Sequence, residues 1–310
     1  MKYSVLIPCH NESKNIYNLI TSLKKNLSKI NHEIIIVDDG STDNTYEVLE
    51  NLIKTNSLRY LKLSMNYGQS IALQAGMDQA NFENIITLDG DGQNDTNSIP
   101  KMIEIYEKER LHVLFGNRKR RKDEKIRVNL SRVANYLIRL IFKINIKDFG
   151  CSLRIFKKKL LNGKVLYSEQ HRILPLILIY KKKIKFSQID VGHNEREFGK
   201  SHYGNKRVIK LLLDLLIFIC LQKFKTKPIY FFGIIFLFFL SLSIVTFILM
   251  LYIKFILGNS FILTPLPVLA TLFLSMSFTS LMLGFVCEII VNTYLISNDN
   301  KFLYQIDDEK

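Results

Sequence analysis

The sequence predicts an α/β domain built on a mostly parallel sheet, followed by amphipathic helices and two C-terminal transmembrane helices. The first 116 residues alternate β-branched apolar runs with amphipathic helical patterns, which is typical of a sheet covered by helices on both faces. The last third of the 310-residue chain contains two long stretches without charge. A chain of this length accommodates one α/β domain together with such an addition.

The apolar runs predict seven strands, and helical patterns separate the first five. Between the first two strands, for example, Ile16, Leu19, Ile20 and Leu23 recur at the spacing of one helix face. The predicted strands are residues 3–8, 33–38, 58–63, 84–88, 111–115, 152–156 and 185–191.

Two basic and apolar segments predict amphipathic helices. Residues 126–146 either lie on the membrane surface or pack against the sheet, and the pattern leaves both possibilities open. Residues 206–222 predict a second such helix, in which Asp214 argues against a third membrane span.

The uncharged stretches predict two membrane spans. Ile229 to Ile253 is 25 residues long and Phe255 to Cys287 is 33, whereas about 20 apolar residues cross a bilayer core. The expected divisions are therefore a catalytic α/β domain at 1–204, a juxtamembrane amphipathic helix at 205–227, transmembrane helices at 228–254 and 264–290, and a tail at 291–310.

Flanking charge predicts the orientation of these spans. Lys223, Lys225 and Lys227 precede the first span, and the connecting loop offers only Lys254. The positive-inside rule then places the α/β domain and the tail on the cytoplasmic side of the inner membrane. No signal peptide precedes the first strand. The four cysteines form no CxxC pair, which fits a reducing compartment and disfavours a zinc or disulfide framework.

The net charge of +15 includes the dense basic run at residues 118–122. Next to membrane spans, such charge favours anionic lipid headgroups or a phosphorylated substrate as partners, although a solvated basic loop is an alternative. No recognition motif accompanies the run, so nucleic-acid binding is not expected.

The pair Asp89 and Asp91 follows the fourth predicted strand. Ligands of open α/β sheets bind beyond the carboxyl ends of the strands, and two carboxylates there suit a hard cation that also takes substrate phosphates. The site predicts metal-assisted binding of a nucleotide diphosphate. An acidic turn that caps the next helix is the alternative.

Three further polar motifs end neighbouring strands and belong to the same edge. Together the four motifs resemble the family 2 glycosyltransferases of the GT-A fold, whose sheet is Rossmann-like. They read Pro8-x-His10-Asn11-Glu12, Asp38-Asp39-Gly40-Ser41-x-Asp43, Asn66-x-Gly68-Gln69 and Asp89-x-Asp91-x-Gln93.

Later motifs are similar to the polyprenyl-phosphate branch of that family, which includes dolichol-phosphate mannose synthase and bactoprenol glucosyltransferases. The matching segments are Gly116-Asn117-Arg118, residues 148–154, His171-Arg172 and residues 199–204. The resemblance implies transfer of a single sugar from a UDP- or GDP-sugar to undecaprenyl or dolichyl phosphate.

The resemblance also implies roles for individual residues. Asp89, Asp91 and Gln93 would hold Mg²⁺ or Mn²⁺. Asp91, Arg118, Arg132 and Asp148 would be catalytic, the two arginines binding the acceptor phosphate. The nucleotide sugar would contact Pro8, His10, Glu12, Asp38, Asp39, Gly68, Gln69, Asp89 and Gly90, and a closing loop with Lys200, Ser201 and Tyr203. His10 and Gln69 depart from the aromatic residue and the lysine that many relatives carry.

The chemistry of a phosphate acceptor agrees with these roles. A phosphate monoester is largely dianionic at neutral pH, so it requires neutralising and aiming rather than a strong base. Direct attack would invert the anomeric carbon. Asp148 either orients the acceptor or sugar, or anchors Arg154 by a salt bridge.

Other functions stay open at this point. A polymerising synthase would carry a Gln-x-x-Arg-Trp motif, and this chain has no tryptophan. Another envelope acceptor, or a catalytically silent scaffold that binds a nucleotide sugar, is also compatible. Small residues in the spans allow a homo-oligomer: Ser241, Ser243, Ser275, Ser277 and Gly284.

Overall fold

The computed structural model describes residues 1–54, 58–118, 138–139, 142–161, 165–180, 183–194, 217–218, 220, 224, 227–258, 260–262 and 264–297. The chain divides into two compact units, residues 1–214 and 215–310.

The first unit alternates strands and helices along the chain. Its elements are β1 Lys2–Cys9, α1 Ile16–Asn26, β2 Asn31–Asp38, α2 Thr45–Lys54, β3 Arg59–Lys62, α3 Gln69–Gln79, β4 Asn84–Thr87, α4 Ser98–Lys108, β5 Val113–Arg118, β6 Arg154–Lys157, a 3₁₀ helix Lys158–Leu161, α5 Gln170–Ile179 and β7 Phe186–Val191. The α/β fold predicted from the alternation is confirmed.

The seven strands form one sheet in the order β3-β2-β1-β4-β6-β5-β7. Only β6 runs against its neighbours β4 and β5, and every other adjacent pair is parallel. The sheet is therefore mostly parallel, as predicted. The carboxyl ends of β1, β2, β4 and β5 lie at one edge, where the polar motifs were expected to meet.

The register of the sheet brings distant segments together at that edge. Cys9 pairs with Asp38 between β1 and β2, and Thr87 pairs with Arg154 between β4 and β6. Strands β5 and β6 are direct neighbours although residues 119–153 separate them in sequence.

The hydrophobic core lies below this edge of the sheet, and the strands are buried on both faces. Ile35 and Ile36 of β2 are both fully buried although they point to opposite faces. On α1 the residues predicted at helical spacing form the buried face: Ile16, Leu19, Ile20 and Leu23.

The second unit contains two long apolar helices, α6 Ile229–Phe255 and α7 Leu266–Ser297. Their segments Ile229–Phe255 and Leu266–Thr293 have mean hydropathies of 2.9 and 1.9 and are long and apolar enough to cross a membrane. This result supports membrane anchoring. Most of the two predicted amphipathic helices lies outside the described residues.

The two apolar helices pack closely against each other. A Cβ added at Gly284 would lie 2.7 Å from Cδ1 of Ile229, and the Ser243 hydroxyl donates to the carbonyl of Ala270 at 3.0 Å. At the start of α6, the Ile229 N–H donates to Oε2 of Glu288 at 3.4 Å. This bond satisfies one of the helix-terminal N–H groups that lack an intrahelical partner.

Candidate active site

The Asp89–Asp91 loop passes very close to the end of β1. A Cβ on Gly90 would lie 2.9 Å from Cβ of Cys9 and 3.1 Å from the carbonyl oxygen of Pro8, so the backbones meet where a side chain would clash. The backbone φ of Gly92 is 75°, which favours glycine. These two glycines hold both aspartates, each half-buried, at the sheet edge.

Each aspartate of this pair accepts a hydrogen bond that orients it. Nε2 of Gln69 donates to Oδ1 of Asp89 at 2.6 Å, and the Gln93 N–H donates to Oδ1 of Asp91 at 3.1 Å. Gln69 thus contacts an expected metal ligand directly. The Gln93 carbonyl accepts the Asn194 N–H at 2.9 Å.

The donor set at Asp89 and Asp91 fits Mg²⁺ or Mn²⁺. Carboxylate oxygens are hard ligands, and such cations commonly take one or two protein carboxylates and complete their shell with water and phosphate. Within the described ranges, no group of three or more His, Cys, Asp or Glu side chains is placed to hold a metal.

Asp39 fixes the start of helix α3 to the end of β2. Its Oδ1 accepts the Tyr67 N–H at 2.7 Å, and its Oδ2 accepts the Gly68 N–H at 2.8 Å. Gly68 has a φ of 95°, and Gln69 follows it as the first residue of α3. Asp39 therefore positions the residue that orients Asp89.

Asp38 lies below this edge and is fully buried. It accepts hydrogen bonds from the Ser41 N–H at 2.8 Å and from the Tyr60 hydroxyl. Burial, reinforced by the bond to Asp38, raises the pKa of Tyr60 well above its usual value. In this arrangement the Asp38 carboxylate supports the loops from beneath rather than facing solvent.

His10 and Asn11 form a polar pair whose proton positions can be assigned. Oδ1 of Asn11 accepts the backbone N–H groups of Thr42, at 2.8 Å, and Asp43, so Nδ2 of Asn11 must donate to Nε2 of His10 at 3.2 Å. Nδ1 of His10 then donates to the Asp39 carbonyl at 2.8 Å. Both ring nitrogens of His10 are therefore engaged in hydrogen bonds.

Pro8 and Glu12 flank this pair. Pro8 is buried in β1. Oε2 of Glu12 accepts from Nδ2 of Asn15 at 2.7 Å, while the Glu12 N–H donates to Oγ1 of Thr45 at 3.2 Å. Glu12 thus links the start of α1 to the start of α2.

On the other side of the site, Arg118 and Asp148 form a bidentate ion pair. Nε of Arg118 donates to Oδ2 at 2.7 Å and Nη2 donates to Oδ1 at 2.9 Å. The side chains of Arg118 and Asp148 are only 13% and 7% exposed. Asp148 therefore pairs with Arg118. Arg154, its partner in one of the two alternatives left open by the sequence, instead donates to the carbonyl oxygens of Phe149 and His171.

A buried contact between Ser70 and His171 joins helices α3 and α5. The His171 N–H donates to Oγ of Ser70 at 3.0 Å, and the Ser70 hydroxyl lies 2.9 Å from Nδ1 of His171. No role was predicted for Ser70 from the sequence. Its position next to Gln69 of the Asn66-x-Gly68-Gln69 motif was the sequence signal that could have pointed to it.

Two thiols near the site are buried and unreactive. Burial raises the pKa of Cys9 well above its usual value and that of Cys151 to about 11. Thiolate chemistry is therefore not expected from either side chain.

The remaining predicted site residues lie outside the described part of the chain. They are Arg132, expected to bind the acceptor phosphate, and the three members of the expected closing loop, Lys200, Ser201 and Tyr203.

Solved structures share the fold of the first unit. The chain aligns with mannosyl-3-phosphoglycerate synthase from Rubrobacter xylanophilus at a TM-score of 0.58 and 13% identity, covering 71% of this chain and 74% of that one. It aligns with glucosyl-3-phosphoglycerate synthase from Mycobacterium tuberculosis, in complex with Mn²⁺, UDP-glucose and phosphoglyceric acid, at 0.53 and 16% identity over 68% and 79% of the two chains. The fold class is thus the GT-A type.

The family follows from sequence. The model of glycosyl transferase family 2 matches residues 4–163, and the chain belongs to that family. The chain is 33% identical over its whole length to the dodecaprenyl-phosphate galacturonate synthase of Rhizobium johnstonii, covering 94% of that protein. It is 34% identical to the undecaprenyl-phosphate 4-deoxy-4-formamido-L-arabinose transferase of Proteus mirabilis, over 69% of this chain and 67% of that one. The protein is a glycosyltransferase.

Proposed function

We propose that the protein transfers one sugar from a nucleotide diphosphate sugar to a polyprenyl phosphate, with inversion at the anomeric carbon. The observation that carries this proposal is the similarity to a dodecaprenyl-phosphate sugar transferase along the whole chain, apolar helices included. The bidentate pair of Arg118 and Asp148 beside the Asp89–Asp91 loop supports it further.

The donor is held at the edge formed by β1, β2 and β4. Asp89 and Asp91 bind Mg²⁺ or Mn²⁺, with Gln93 in the same loop, and Gln69 keeps Asp89 in place. When bound, the cation stabilises the negative charge that develops on the departing nucleoside diphosphate. Asp39 and Gly68 shape the nucleotide side, and Lys200, Ser201 and Tyr203 contribute further contacts to the donor.

The acceptor phosphate is held by arginines. Asp148 fixes two of the N–H groups of Arg118 and so sets the plane of its guanidinium, while Arg132 contributes a second positive charge. Because the phosphate is already anionic, these residues orient it for attack and need not remove a proton. His10, engaged at both ring nitrogens, is not needed as a base.

The membrane location follows from the nature of the acceptor and from charge. A polyprenyl chain resides in the bilayer, and α6 and α7 anchor the enzyme beside it. Lys223, Lys225 and Lys227 precede α6, and by the positive-inside rule this charge supports a catalytic unit on the cytoplasmic face of the inner membrane.

A transfer assay tests the proposal. Full-length protein in detergent is given undecaprenyl phosphate, Mn²⁺ or Mg²⁺, and radiolabelled UDP- and GDP-sugars, with UDP-galacturonic acid in the panel. We expect label from one donor to enter the lipid phase, to be lost with chelator, and to be absent with D91N. No transfer from any donor would contradict polyprenyl phosphate as the acceptor. A product with retained anomeric configuration would contradict the proposed inversion.

A further inference from the structure

Arg154 is a buried cation directly beneath the candidate metal site. Its residue is only 4% exposed, and it pairs in the sheet with Thr87, two positions before Asp89. Nη1 and Nη2 donate at 3.0 Å to the carbonyl oxygens of His171 and Phe149. Nε is buried and has no hydrogen-bond partner among the described residues.

The hydrogen bonds of Arg154 do not account for its charge. Carbonyl oxygens satisfy N–H groups but carry no full negative charge, and burying an uncompensated guanidinium is costly. Burial lowers the pKa of Arg154 to about 10, which leaves the side chain positive at neutral pH. The carboxylates whose charge acts on it are Asp89 and Asp148.

Those two carboxylates differ in how far they are already neutralised. Asp148 is paired with Arg118 in the bidentate ion pair. Asp89 accepts a hydrogen bond from the neutral amide of Gln69, and this bond does not cancel the charge of the Asp89 carboxylate. Since the sheet register also sets Arg154 opposite Thr87, two residues before Asp89, its charge acts mainly on Asp89.

We infer that Arg154 is a positioning residue that sets the charge of the metal site. Its guanidinium offsets part of the negative charge of Asp89, so a divalent cation is held weakly until the diphosphate of the donor adds its own negative charge. The inference rests on the proposed function, because it needs a metal at these aspartates. It explains why a costly buried cation stands where two carbonyl bonds could be made by a neutral side chain.

The test is the affinity for Mn²⁺ alone, measured by electron paramagnetic resonance on full-length protein in detergent without donor or acceptor. Removing the charge in R154Q should make Mn²⁺ bind several-fold more tightly, because a nearby positive charge no longer repels it. R154K keeps the charge and should stay near wild type. A merely structural role predicts weaker or unchanged binding in R154Q.

R59Q serves as the matched control. Arg59 is the first residue of β3, away from the carboxyl ends of the strands, and pairs with Glu33 at 2.9 Å. We expect its Mn²⁺ affinity to equal that of wild type. If R154Q lacks a native near-ultraviolet circular dichroism spectrum, R154M is the second uncharged variant, and failure of both to fold would overturn the inference. Equal affinities in wild type and R154Q would overturn the inference alone, whereas a wild type that binds no Mn²⁺ would overturn the metal site as well.

Discussion

Asp148 holds Arg118 through both of its carboxylate oxygens, at 2.7 and 2.9 Å, in a largely buried pair. The Gly150 N–H donates to the same carboxylate at 3.0 Å, and a Cβ at Gly150 would lie 2.9 Å from Nη2 of Arg118. The turn that carries Asp148 is therefore shaped around the guanidinium. Such a constrained arginine is suited to bind a phosphate in one orientation.

Replacing Asp148 by asparagine should impair use of the acceptor more than binding of the donor. The amide keeps the shape but removes the charge that holds Arg118, and breaking a buried pair leaves the guanidinium uncompensated. We expect kcat/KM for polyprenyl phosphate to fall at least about tenfold, which corresponds to roughly 1.4 kcal/mol. D78N, on the exposed end of α3, is the control and should keep wild-type kinetics. Equal loss for donor and acceptor would refute the assignment.

Replacing Gln69 by alanine should raise the metal concentration needed for activity. The side chain donates to Asp89 at 2.6 Å, and without it the carboxylate loses the bond that orients it. The half-saturating Mn²⁺ concentration is expected to rise by about tenfold or more, in keeping with the cost of about 1.5–3 kcal/mol for a hydrogen bond to a charged group. Q79A, at the exposed other end of α3, provides the comparison. An unchanged Mn²⁺ requirement in Q69A would argue against this role.

Introducing a side chain at Gly90 should displace the Asp89–Asp91 loop. The new Cβ would lie 2.9 Å from Cβ of Cys9 and 3.1 Å from the Pro8 carbonyl, where neither neighbour is a flexible side-chain end. We expect G90A to destabilise the catalytic unit by about 1–3 kcal/mol and to lose most of its activity. G233A meets nothing within 4 Å and should behave as wild type in thermal melts and transfer assays. A fully active G90A would show that the loop tolerates the shift.

The stability of the protein should decline in acid partly through Glu33. Burial alone would raise the pKa of Glu33, but hydrogen bonds from Ser4, Asn81 and Arg59 outweigh it and leave the pKa below its usual value. A depressed pKa contributes stability above the unfolded value, near 4.3, which is lost as the pH falls through the folded value. E33Q should therefore lose less of its melting temperature than wild type between pH 6 and pH 3. Parallel melting curves for the two proteins over that range would contradict this role.

Much of the fold was predictable because its signals are local. The β-branched runs that predicted strands at 33–38 and 84–88 correspond to β2 and β4, since such runs need only be buried on both faces. The insertion of β6 antiparallel between β4 and β5 was not predicted. That pairing depends on contacts between segments far apart in sequence, which no local pattern encodes.

The candidate site was likewise predictable only where its signals are local in sequence. Placing Asp89 and Asp91 at the sheet edge required only the strand that precedes them. Asp148 was predicted either to orient the acceptor or sugar or to anchor Arg154, and its ion pair with Arg118 was not predicted, because that pair depends on how two distant segments meet in the fold. The role of Gln69 toward Asp89 was likewise hidden, because it depends on how α3 begins.

The adjacency of β5 and β6 has an evolutionary consequence. The hydrogen-bonded ladder from Val113–Phe156 to Phe115–Arg154 joins β5 to β6 directly, so the ladder itself does not fix the length of the segment that connects them, residues 119–153. The strand-end motifs assigned to the donor precede this segment in the chain, Arg132 and Asp148 lie within it, and Lys200, Ser201 and Tyr203 follow it. Lineages could thus diversify the lipid that is modified while conserving the activated sugar, and exchange of this segment between relatives would reproduce that step in the laboratory.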